Sequence, residues 1–150
     1  MTVFPDTSFL CSLYRQQIHS PRANAFMAKR AATLPVSSLL LLEFRQSSRL
    51  QARLHSRDKT KGYPRHEAVQ MLKDMQSDLN ARVLDVVPVD WSDVHQFAES
   101  LSARYTERNG HRLVDVLHVA TALHLGATEF LTFDANQKRL AESEGLTVSV

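Results

Sequence analysis

Short apolar runs rich in β-branched or aromatic residues alternate along this chain with longer segments whose apolar positions recur at helical spacing. Residues 2–5 predict a first strand, closed by Pro5 and Asp6, with a helix over 9–16. Pro21 suits the first turn of a second helix that reaches about residue 32. Residues 34–36 predict a brief strand, after which Ser37 or Ser38 caps a long helix to about residue 54. The segment HSRDKTKGY (55–63) is polar, basic and interrupted by glycine, so a loop is expected there. Pro64 then opens a helix to about residue 80, with Val69, Met71, Leu72, Met75 and Leu79 near helical spacing.

Residues 82–89 read as a strand. Asp90 with Asp93 forms an N-terminal capping pattern for a helix that ends near Asn109 and Gly110. A strongly apolar helix over 112–125 stops at Gly126. Residues 129–133 predict a strand, 135–143 a helix ended by Gly145, and 146–150 a last strand. Strands alternating with helices predict an α/β layered fold with a mostly parallel sheet. No internal repeat or linker interrupts it, so one domain is expected over residues 1–150, with 55–80 as at most a helical arm.

Bulk properties add three limits. The single cysteine, Cys11, excludes a disulfide framework and a cysteine-bound zinc. The apolar run at 39–42 is far too short to cross a bilayer, and no signal peptide is legible, so a soluble cytoplasmic protein is expected. The net charge of +2 hides an asymmetry: residues 1–65 hold eleven Lys and Arg against three acids, or +8, and residues 66–150 hold seven against thirteen, or −6. A nearly unopposed basic half suits a polyanionic ligand, and equally a solvated face or an acidic protein partner.

The candidate chemistry lies in four acids set within or beside apolar runs: Asp6 after TVFP, Glu43 in SSLLLLEF, Asp115 in LVDVLHVATAL and Asp134 after EFLTF. A buried carboxylate without a partner costs several kcal/mol, so such groups are paired, protonated or bound to a metal. At about 100° per residue, Leu39, Leu40, Leu50 and Leu54 fall within roughly 60° of Glu43, while Arg45, Arg49 and Arg53 fall on the far side. The same count sets Asp115 among Val119, Ala122, Leu123 and Val116, pointing toward the core. Asp6 and Asp134 each follow a strand and precede a helix, at the strand ends where parallel sheets bind ligands. An all-oxygen set suits Mg²⁺ or Mn²⁺. The structural alternatives are helix caps for Asp6 and Asp134, and core ion pairs for Glu43 and Asp115.

PDTSFL (5–10), SSLLLLEF (37–44), LVDVLHVATAL (113–123) and EFLTFDANQKRLAESEGL (129–146) resemble, in order, the successive motifs of PIN domains, and most of all the VapC-type toxin ribonucleases. The resemblance implies a three-layer α/β/α fold with a central, mostly parallel sheet. It implies that Asp6, Glu43, Asp115 and Asp134 form the catalytic, Mg²⁺- or Mn²⁺-binding site of an endoribonuclease that leaves 5′-phosphate and 3′-hydroxyl ends. Asp6 and Asp115 are then the most direct ligands, with Glu43 and Asp134 completing the shell, holding a second metal or orienting water. Thr7 and Ser8 fall where the family places a hydroxyl beside the first acid. It further implies an antitoxin partner and a homodimer.

Around that site Arg112 is a candidate phosphate contact, and Arg45 and Arg49, with Arg53, Arg57, Lys59 and Lys61, are candidates for holding the RNA backbone. His118, one turn after Asp115, reads foremost as a hydrogen-bonded core histidine. Aspartyl-phosphate chemistry is the weaker enzymatic alternative, because Ser8 stands where a dehalogenase-type phosphatase needs a second Asp. The main rival is a non-catalytic PIN-like scaffold that acts through protein or RNA binding.

Overall fold

The computed structural model describes residues 3–150; Thr2, which opens the first predicted strand, lies outside them. The chain runs β1 (Val3–Pro5), α1 (Thr7–Tyr14), α2 (Ser20–Lys29), β2 (Leu34–Val36), α3 (Ser38–Arg57), α4 (Arg65–Asn80), β3 (Leu84–Val86), α5 (Trp91–Leu101), a π-helical turn (Ser102–Thr106), α6 (Glu107–Asn109), α7 (Leu113–His124), β4 (Glu129–Leu131) and α8 (Ala135–Ser143). These elements form two compact units, one from the start of the chain through Phe9 with Val87–Val150, the other Leu10–Val86.

In the first unit β1 and β4 pair in parallel, with Val3 opposite Glu129, Phe4 opposite Phe130 and Pro5 opposite Leu131. Phe4, Phe9, Phe130 and Leu131 are completely buried around this pair. The predicted terminal strand at 146–150 reduces to one parallel bridge between Thr147 and Glu129. Phe130 N donates to Thr147 O at 2.8 Å, and Thr147 N to Thr128 O at 2.9 Å. Beyond that rung the contact passes to side chains, Ser149 Oγ donating to the Glu129 carboxylate, so no ladder continues. α5 packs its Val94, Ala98 and Leu101 face against α7. The helix expected over 90–109 is interrupted by the π turn, which places Arg104 and Tyr105 together on the Glu144 carboxylate.

In the second unit β2 and β3 pair in parallel, Leu34 to Leu84 and Val36 to Val86. Here α3 and α4 lie against each other, and Leu40, Leu41, Phe44 and Ser48 are buried on the first and Ala68, Met71 and Met75 on the second. The predicted strand 82–89 shortens to three residues because Arg82 takes a positive φ of 58° just before it and Asp85 and Val86 already face solvent. α3 runs one turn past its predicted end. Asp58 N donates to Leu54 O at 2.9 Å, and Asp58 Oδ1 accepts from Thr60 N at 3.0 Å, so the acid ends the helix three residues later.

Gly62 in the following loop has φ 58°, and a Cβ on it would stand 2.1 Å from the Gln51 carbonyl oxygen of α3. Both the left-handed backbone and the rigid neighbour oppose a side chain. Gly62→Ala is therefore expected to lower unfolding stability by about 2 kcal/mol or more, read as a lower urea midpoint at unchanged slope.

Candidate metal centre

The ends of β1 and β4 are tied together by side chains rather than by ladder bonds. Asp6 N still donates to Leu131 O at 3.0 Å, one rung past Pro5. The chain then turns into α1, where Asp6 Oδ1 accepts from Phe9 N at 3.0 Å and so caps that helix. Thr132 leaves β4 and donates through Oγ1 to Asp6 Oδ2, while the same oxygen accepts from Asp134 N at 3.0 Å. Ser8 Oγ donates to Asp6 Oδ1 at 2.7 Å and accepts from Phe133 N at 2.8 Å. The amides of Phe133 and Asp134 are thus spent on hydroxyls, which is why the strand predicted over 129–133 stops at Leu131. Asp134 Oδ1 in turn accepts from Gln137 N at 2.8 Å and caps α8.

Asp6 is completely buried, and its donors, two hydroxyls and an amide, are uncharged. Burial raises its carboxyl to about 6, against a smaller pull downward from those hydrogen bonds and from His118. His118 is also completely buried, with Nε2 3.4 Å from Thr7 Oγ1, as expected of a hydrogen-bonded core histidine.

Asp115 stands in the first turn of α7, 6% exposed, facing inward as its helical phase predicts. Its Oδ2 accepts from Arg112 Nε at 3.1 Å, and its Oδ1 from Gln137 Nε2 at 3.2 Å. The Arg112 side chain is otherwise 75% exposed. His111 is buried beside them, and its ring nitrogens have no hydrogen-bond partner among the described residues. Burial pushes its imidazole down, Asp115 and Asp134 oppose that and Arg139 reinforces it, so the ring is neutral at pH 7.

Glu43, Arg45 and Arg49 belong to α3 in the second unit. Glu43 is half-buried, and the leucine stripe expected around it is only partly a core face: Leu40 is completely buried, whereas Leu50 and Leu54 are 48% and 37% exposed. The buried face of α3 is Leu40, Leu41, Phe44 and Ser48, with Glu43 on its border. Helical phase found the apolar residues correctly, but the buried face is rotated from that stripe toward Leu41, Phe44 and Ser48. Arg49 and Arg53 face α4 and, with Arg65, line a groove of about 430 Å³ floored by Ala52, Ala68, Val69 and Leu72. Arg45 is half-buried.

The first unit therefore joins three of the four acids in one network, from Asp6 through Thr132 to Asp134 and through Gln137 to Asp115. Thr132 and Gln137 went unnoticed in the sequence. Thr132 is signalled by the polar residue ending an apolar strand two positions before Asp134, and Gln137 by the capping-box spacing Asp134-x-x-Gln137.

The sequence profile of the PIN domain family matches residues 3–143. The chain belongs to the PIN domain family. No curated protein matches it. Among solved structures, this PIN domain is similar to the VapC20 toxin of Mycobacterium tuberculosis, described as cleaving the sarcin–ricin loop, with TM-score 0.65 at 21% identity over 97% of both chains. It is similar to FitAcB of Neisseria gonorrhoeae, with TM-score 0.66 at 15% identity over 99% of this chain and 97% of that one. It is also similar to VapBC2 of Rickettsia felis, solved on a promoter DNA fragment, with TM-score 0.64 at 17% identity over 99% and 98%. The α/β fold of the PIN domain is the fold expected from the strand–helix alternation. No helix among the described residues is long and apolar enough to cross a membrane.

Whether this PIN domain suits a divalent cation is a question about its donors. Among the described residues no three His, Cys, Asp or Glu side chains already stand together at metal-binding spacing. The donor chemistry fits nonetheless. Asp6 is a buried carboxylate whose burial opposes ionisation and whose partners carry no charge, and a dication offsets that cost. The neighbouring donors of Asp115, Asp134, Thr132 and Gln137 are oxygens, the ligand type of Mg²⁺ and Mn²⁺.

Proposed function

We propose that this PIN domain is a Mg²⁺- or Mn²⁺-dependent endoribonuclease, the toxin of a toxin–antitoxin pair. The observation that carries the reading is Asp6: a completely buried carboxylate at the carboxyl end of a parallel strand, networked to Asp134 and Asp115. Parallel sheets bind their ligands at that end. The name of VapC20 supports the substrate class, and that of VapBC2 supports the partner.

Asp6 and Asp115 would hold the cation, with Asp134, networked to both, supplying a further carboxylate. When bound, the cation supplies a water of lowered pKa and offsets the charge that develops on the phosphate. Ser8 and Thr132 fix the rotamer of Asp6 with hydrogen bonds to both of its oxygens, so its lone pairs are aimed before substrate arrives. Thr7, at the mouth of α1, is held toward His118. Arg112, its side chain 75% exposed at the start of α7, is placed to meet a phosphate while its Nε stays on Asp115. Arg49, Arg53 and Arg65 along the α3–α4 groove, and Arg45 outside that lining, hold the RNA backbone, adding affinity without choosing sequence. Hydrolysis adds water oxygen to phosphorus and breaks the bond to the 3′ oxygen, which leaves protonated, giving 5′-phosphate and 3′-hydroxyl ends. An antitoxin restrains this activity in the cytoplasm, and the toxin works as a homodimer.

Sequencing RNA ends after induced expression tests the reading directly. New 5′-phosphate ends are expected with the native chain and not with Asp6→Asn. Identical end profiles in the two cultures would sink the nuclease and leave a binding scaffold.

A further inference from the structure

The capping-box geometry at the start of α8 is incomplete in an informative way. In that pattern the N3 Gln reaches back to the backbone N–H of the N-cap residue. Here the N–H of Asp134 is taken by Thr132 Oγ1 at 3.0 Å, and Gln137 points elsewhere. Its backbone N still donates to Asp134 Oδ1 at 2.8 Å, while its side-chain Nε2 donates to Asp115 Oδ1 at 3.2 Å. The orientation of the amide follows from chemistry, since an ionised carboxylate only accepts and must be met by the NH₂ end.

That leaves Oε1. Gln137 is 4% exposed, and its carbonyl oxygen is buried with no hydrogen-bond partner among the described residues. Leaving a buried acceptor unmatched costs about 1–3 kcal/mol, while an apolar side chain of similar size at this position carries no such cost. The cap does not need the Gln137 side chain either, because Thr132 Oγ1 already takes the Asp134 N–H and Asp134 Oδ1 the Gln137 backbone N–H. The orphaned oxygen sits on a residue that touches both Asp115 and Asp134.

We propose that Gln137 is a metal-site residue of this PIN domain: its Nε2 positions Asp115, and its Oε1 is a neutral oxygen donor toward the divalent cation. The inference rests on the metal-dependent reading given above. A neutral oxygen adds a ligand without adding to the repulsion among the carboxylates. It also divides labour: the carboxylates carry the charge, and Gln137 fixes where Asp115 presents it.

Direct Mn²⁺ binding, followed by the loss of the free-ion electron paramagnetic resonance signal, separates this role from a packing role and needs no turnover. Native protein, Gln137→Leu, Gln137→Met and Gln137→Glu are compared, with Asp115→Asn as the reference for a lost carboxylate. Leu and Met, which keep the volume but carry no oxygen, are expected to weaken Mn²⁺ binding by about 10-fold or more. Glu keeps an oxygen ligand, loses the donor to Asp115 and adds a negative charge that the dication neutralises when bound, so Mn²⁺ binding is expected to return to the native level or tighter. Unchanged affinity in both Leu and Met overturns the proposal while the metal centre stands. An equal loss in Leu, Met and Glu also overturns it, leaving Gln137 as a clamp on Asp115 alone. If the native protein and Asp115→Asn both fail to bind Mn²⁺, the metal-dependent reading falls, and this inference falls with it. Melting curves of each variant without metal show whether a loss comes from unfolding.

Discussion

Asp6→Asn is expected to abolish RNA cleavage and, at the same time, to make the protein more stable above pH 6. The first effect follows from removing the charge that the site is built around, at a cost of about 10²-fold or more in rate. The second follows from burial. The carboxyl of folded Asp6 titrates at about 6, above its ordinary 3.8. The folded state therefore binds the proton more tightly than the unfolded chain does. Stability from this group is fully present below pH 4, falls as pH rises from about 4 to 6, and stays lost above that. One pKa unit corresponds to 1.36 kcal/mol, so the loss is about 3 kcal/mol at pH 8. Asn keeps an acceptor for Phe9 N and Ser8 Oγ and removes the buried charge. The variant is expected to melt roughly 6–12 °C above the native protein at pH 8 and level with it near pH 4. A native protein that melts no lower at pH 8 than at pH 4.5, with Asn at position 6 making no difference, would show that Asp6 is not held in the environment described.

The second large effect concerns the cation itself. Stripping divalent ions with a chelator is expected to stop cleavage completely, and Mn²⁺ or Mg²⁺ to restore it where K⁺ does not. Binding to the folded state alone stabilises it by about 2.7 kcal/mol at a hundredfold excess over Kd. The melting temperature should therefore rise with Mn²⁺, and more at pH 7.5 than at pH 5, where Asp6 must first release a proton. Asp6→Asn and Asp115→Asn should respond little. Cleavage that survives chelation, together with a melting curve blind to millimolar Mn²⁺, excludes the metal reading.

These expectations draw unequally on sequence and structure. Asp115 was legible from its phase alone, because α7 is apolar nearly all round and any acid on its inner face had to be buried. Asp6 and Asp134 were legible as strand-end acids, and the structure gives both the capping bonds that their positions also predicted. Capping and metal binding are not exclusive, since each carboxylate has two oxygens and several lone pairs. Glu43 was misjudged in its surroundings. A leucine stripe identifies where apolar side chains point but not which face the rest of the fold covers, and the face that is buried bears Leu40, Leu41, Phe44 and Ser48. The strand at 146–150 was overread for a similar reason: β-branched composition permits a ladder, but a ladder needs a neighbour whose amides are free, and only Thr147 finds one.

The sequence by itself determined the order of strands and helices, the parallel class of the fold and the identity of the anomalous acids. Each of these is written in local periodicity, in turn residues or in the cost of placing charge among apolar neighbours. Only the tertiary structure decided what each acid meets. Thr132 and Gln137 lie 126 and 22 residues from the carboxylates they hold, Asp6 and Asp115. Their hydroxyl and amide groups are versatile hydrogen-bonders whose partners no local pattern specifies. The raised carboxyl of Asp6 is likewise a property of enclosure, since the same residue at the surface titrates with its ordinary value.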